Sequence, residues 1–111
     1  MRDAIGNSAS DPFFVSQSAS PLPAGTDRSG VTSASAGTAT TLAAANPNRS
    51  ALDIQNISAG NIGINEAGGV ASIGASGTYT VAAGGSISIR TNRAISVVGS
   101  AASQAYTATE R

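Results

Sequence analysis

The chain contains no cysteine and no histidine, and lysine is missing too, so every side-chain cation is an arginine. Without cysteine no disulfide and no thiolate metal site can form. Without histidine the commonest acid–base group near neutral pH is gone. The many serines have neither histidine nor lysine to activate a hydroxyl. Charge is scarce as well: charged residues make up 11% of the chain, and six of each sign give a formal net charge of zero. A neutral chain with dispersed arginines offers no basic stripe to nucleic acid and no long-range attraction to an anionic membrane. No apolar run approaches the length of a membrane span. Met1-Arg2-Asp3 is not followed by the apolar core of a signal peptide. The expectation is a protein made in a cytoplasm, without catalytic activity, cofactor or metal.

The carboxylates reinforce that reading. Asp3, Asp11, Asp27, Asp53, Glu66 and Glu110 include no closely spaced pair. Asp53 and Glu66 could join carbonyls around a hard cation, but such sites gather several oxygen ligands, and solvated surface carboxylates are the simpler reading. The glycine-rich pieces "AGGVASIG" and "VAAGGS" lack the lysine and hydroxyl ending of a phosphate loop and read as turns. Arg90 and Arg93, in "RTNR", could form a small anion site or a surface contact, or simply a solvated loop. Two glycosylation-like triplets, at Asn48 and Asn56, carry no weight without a secretory signal.

What is present is small and polar: Gly, Ala, Ser and Thr dominate. Residues 1–29 hold three of the four prolines and no sustained period, the composition of an extended arm rather than a domain. Within it Phe13-Phe14-Val15 is an apolar island containing both phenylalanines. It reads either as a partner-binding anchor or as a flap onto the chain's own domain. "TDRSG" (26–30) reads as a turn, with Asp27 accepting from nearby backbone N–H groups.

From residue 30 to 111 the pattern is β-like, with Gly, Asn or Ser punctuation every eight to twelve residues. Strands are expected near 30–35, 38–44, 50–57, 61–65, 76–82, 85–90, 94–99 and 103–109. Alternation places Leu52 with Ile54, Ile62 with Ile64, Tyr79 with Val81, Ile87 with Ile89, and Ile95 with Val97 on inward faces. Eight short one-faced strands predict an all-β antiparallel sandwich of jelly-roll or Greek-key type. "ALDIQNISAGNIGIN" (51–65) predicts a hairpin turning tightly at Ser58–Asn61, with a bulge or bend near Asn56-Ile57 where Ile57 breaks the alternation. Large apolar residues are few: between Thr38 and Thr109 there are eight Ile, two Leu, four Val and two Tyr. So thin a core suggests that neighbours, copies or a larger partner, complete the fold.

Three segments, in order, resemble a known group: "TDRSGVTSASAGTATTLAAANPNRSALDIQNISAGNIGIN" (26–65), "ASGTYTVAAGGSISIRTNRAISVVG" (75–99) and "SQAYTATER" (103–111). They resemble small structural proteins of tailed-bacteriophage virions. The chain departs from that pattern at Ser50, after "NPNR", and in closing without an aromatic residue. The resemblance implies a β-sandwich built into the virion, as a homo-oligomeric head decoration or cement protein bound to the major capsid protein. A neck, tail or fibre-base component is the alternative. A carbohydrate-binding host-surface adhesin is another; its aromatic candidates, Tyr79 and Tyr106, are both expected to be buried.

Overall fold

The computed structural model describes residues 25–111, and they form an all-β sandwich with no helix. Its strands are β1 (Thr26–Asp27), β2 (Gly30–Val31), β3 (Thr40–Ala43), β4 (Leu52–Asn56), β5 (Ile62–Asn65), β6 (Thr78–Val81), β7 (Ser86–Ile89), β8 (Ile95–Gly99) and β9 (Ala105–Glu110). The first sheet runs β1–β9–β4–β7, with β2 on the same edge of β9 as β1. The second runs β3–β8–β5–β6. Every pairing is antiparallel. From β2 onward successive strands alternate between the sheets, except that β5 and β6 share one. That alternation is the strand order of a jelly roll.

Thr26 to Val31 is one edge strand with an interruption. Asp27 accepts the Ser29 N–H at 2.9 Å, the turn expected of "TDRSG". The strand rejoins β9 through Arg28 N–H to Ala108 O at 2.8 Å. Ala108 N–H returns a bond to Ser29 Oγ at 3.0 Å. Pairing therefore begins at Thr26, ahead of residue 30. Such a broken edge offers a poor template for a further strand.

The core lies between the sheets and is built by alternation. Leu52, Ile54, Ile89, Tyr106 and Ala108 come from the first sheet; Leu42, Ile62, Ile64, Val81, Ile95 and Val97 come from the second. Ile87 packs against this cluster from the β7 edge.

The segment 51–65 is not a hairpin. β4 lies in one sheet and β5 in the other, and the chain between them arches across the end of the sandwich. The four apolar side chains still face a common core, because alternation specifies a face and not a partner strand. The bend falls where expected, after Asn56, and leaves Ile57 half-exposed. The corner is held by the fully buried Asn56 side chain. Its Nδ2 donates to Gly60 O at 2.7 Å and Val81 O at 2.8 Å. Its Oδ1 accepts from Ser58 N–H at 2.9 Å and Ser58 Oγ at 2.6 Å. All four hydrogen-bonding positions of the amide are filled.

Candidate interaction surfaces

A buried ion cluster ties the strand ends together. Arg49, with its side chain fully buried, donates from Nε to Glu110 Oε2 at 2.6 Å and from one terminal nitrogen to Thr91 O and Arg93 O, each at 2.8 Å. Its other terminal nitrogen reaches Ala44 O. The second Glu110 oxygen accepts from Arg28 at 3.0 and 2.8 Å. Burial opposes ionisation of Glu110, but the hydrogen bonds and charges of Arg49 and Arg28 outweigh it and hold its carboxyl below the ordinary glutamate value. The cluster clasps β1, β9 and the ends of β3 and β7. In the sequence Glu110 stands as one of six carboxylates without a closely spaced partner, and Arg49 lies in the glycosylation-like triplet at Asn48 and in the "NPNR" of a resembling segment. A lone arginine in a corner gives no sign of a carboxylate 61 residues away.

Of the residues singled out from sequence, Phe13, Phe14 and Val15 lie outside the described residues. Arg90 and Arg93 have different tasks. Arg93 donates to Ala67 O at 3.2 Å and lays its aliphatic stem beside Gly68, holding the 66–77 connection. Arg90 is exposed at the end of β7. Ser88 and Arg111 hydrogen-bond Asp53 and lower its pKa, and the charges of Arg111 and Arg90 add to the effect.

The sandwich has two unlike outer faces. On the first sheet the outward residues form polar rows in register: Ser86–Gln55–Thr107 and Ser88–Asp53–Thr109. On the second sheet the 66–77 connection lies across the outer face. Ala71 N–H donates to Ser96 Oγ at 2.7 Å, and Ser96 Oγ donates to Gly69 O at 3.0 Å. Gly63 permits this covering: a Cβ there would sit 2.9 Å from Thr78 and Val98 and 3.0 Å from Ile73. Ala71 and Val98 are buried beneath, yet Val70 is left 78% exposed and Ile73 37% exposed. Each borders a groove. One, of about 240 Å³, runs past Val70, Thr41 and Ser96; the other, of about 390 Å³, runs past Ile73, Ala36 and Val98. The sequence signal, two apolar residues in a glycine-rich connection without alternation, reads only as a turn.

The tyrosines divide. Tyr106 is buried, 6% exposed, as alternation predicts, and burial raises its pKa. Tyr79 is 56% exposed, contrary to expectation. It shares inward parity with Val81, but β6 ends its sheet and, among the described residues, nothing closes the sandwich over that position. A hollow of about 270 Å³ opens there between Tyr79, Glu66, Ile87 and Ser88.

Among the described residues no three Asp, Glu, His or Cys side chains gather as metal ligands. The fold and its surfaces define a small jelly-roll sandwich with one polar face and one partly apolar face. No protein-family model, curated protein or solved structure matches the chain.

Proposed function

We propose that this is a structural protein of a tailed-bacteriophage virion, a decoration or cement protein that binds the assembled head and bridges neighbouring copies of the major capsid protein. The observation that carries the reading is the contrast between the two faces. A decoration protein needs one side to settle on the shell and another to face water. Val70 and Ile73, with the grooves beside them, supply the first; the hydroxyl and carboxylate rows of the first sheet supply the second. The jelly-roll order and the resemblance of three segments to virion proteins agree with it, although a fold alone does not assign a function.

Binding only to the assembled lattice stabilises that lattice by mass action. Several weak contacts, from the second-sheet face and from an arm bearing Phe13 and Phe14, engage together with avidity. The test is co-sedimentation with particles stripped of this protein. The Val70→Ser variant should lose occupancy while its melting point stays close to wild type, since Val70 is a surface group and the partly packed Ile73 is left in place. Removal of residues 1–24 should also lower occupancy. That cut spares Arg28 and Ser29, which are tied to β9. Full occupancy in both variants would remove the proposed contacts.

A further inference from the structure

We propose that the hollow at the open edge of the sandwich is a binding site for a neutral pyranose, the end or branch of a glycan. β6 and β7 end the two sheets on the same side, and the turn at 82–85 joins them. Four residues line the hollow: Tyr79 and Glu66 from the second sheet and its connection, Ile87 and Ser88 from the first. Tyr79 pairs with Ile64. Glu66 directly follows the end of β5, two residues beyond Ile64.

The chemistry of this set is specific. Tyr79 presents a half-exposed aromatic face, and the partly buried Ile87 adds apolar surface, as the C–H face of a sugar ring requires. Beside that apolar patch stands a hydrogen-bond acceptor, the Glu66 carboxylate. Among the described residues no hydrogen bond or ion pair engages the Glu66 carboxylate. Ser88 donates its hydroxyl proton to Asp53 Oδ1 at 2.7 Å, so that proton is not offered to a ligand. A carboxylate acceptor beside an aromatic face suits a ligand that carries hydroxyl donors around an apolar ring face. A volume of about 270 Å³ falls short of a drug-sized site and admits one ring. A cationic peptide is the competing occupant, but Glu66 is the only acidic group lining the hollow. The site does not rest on the particle-binding reading, and none of its four residues lines the grooves beside Val70 and Ile73.

The test is amide chemical-shift titration of the full chain with the methyl glycosides of glucose, galactose, mannose and N-acetylglucosamine, with an arginine-rich peptide as the rival ligand. The expected result is saturable movement at Glu66, Tyr79 and Ser88 with at least one glycoside. Affinity should be millimolar, as for a small ligand in a shallow seat, and unchanged by added salt. Tyr79→Ala should weaken binding about tenfold or more. Tyr79→Phe should retain it, and Glu66→Gln should lower it a few-fold while melting is unchanged. The proposal is overturned if no glycoside moves these resonances, if the movement survives Tyr79→Ala, or if only the peptide responds and does so in a salt-dependent way. Wild-type particle occupancy by Tyr79→Ala, alongside lost glycoside binding, would separate this site from the capsid-facing one.

Discussion

Single side chains decide how the ends of this sandwich stay shut. Arg49 spends its guanidinium on three backbone carbonyls and Glu110, all from segments distant in sequence or at strand ends. Arg49→Met leaves the Glu110 carboxylate buried with only the partly exposed Arg28 as partner. A broken buried pair costs about 3–5 kcal/mol, which urea denaturation at neutral pH should register. The sign with pH follows from the lowered pKa of Glu110. Its contribution is complete above the unfolded glutamate value of 4.5 and is lost as pH falls through the lower folded value. Glu110→Gln should therefore be less stable than wild type at neutral pH, and the gap should narrow in acid. A gap that stays constant across the acid range would mean that the charge of Glu110 contributes nothing. Asp27 and Asp53 are lowered as well, so acid should still destabilise the Glu110→Gln variant.

At the scale of elements, the corner at Asn56 converts two alternating strands into an arch between sheets. Asn56→Ala removes four side-chain hydrogen bonds and strands the buried carbonyl of Val81. Unsatisfied buried groups cost about 1–3 kcal/mol each. The substitution should therefore cost at least about 2 kcal/mol in equilibrium unfolding, and Asn56→Asp should fail to rescue it because the two donors are gone. A cost near zero would show that the arch holds itself through the strands alone. This corner also marks how far the sequence could be read. Leu52, Ile54, Ile62 and Ile64 disclosed their inward faces by parity, and Ile57 disclosed the bend. Parity carries no information about whether the next strand pairs beside its predecessor or crosses to the opposite sheet. That choice rests on a buried amide whose partners lie up to 25 residues away. Tyr79 was misread for a related reason: period two gives direction, while exposure depends on where in the sheet a strand lies. Val70 and Ile73 escaped notice because a connection that lies across a sheet leaves no period at all.

For the whole molecule, the formal net charge is zero, so attachment to a shell would rest on apolar contact and avidity rather than on long-range steering. Added salt should accordingly change occupancy on particles little. A large surplus of this protein over any single axial component would follow from lattice binding, because each capsid neighbourhood repeats over the head. The direct measurement is the amount of this protein relative to the major capsid protein in purified particles, from quantitative band intensities. A capsid-binding role predicts a ratio that is a simple fraction of the shell subunits and falls together with heat resistance when the gene is deleted. A trace ratio typical of neck or tail parts, absence from the particle, or unchanged heat resistance in its absence would contradict it.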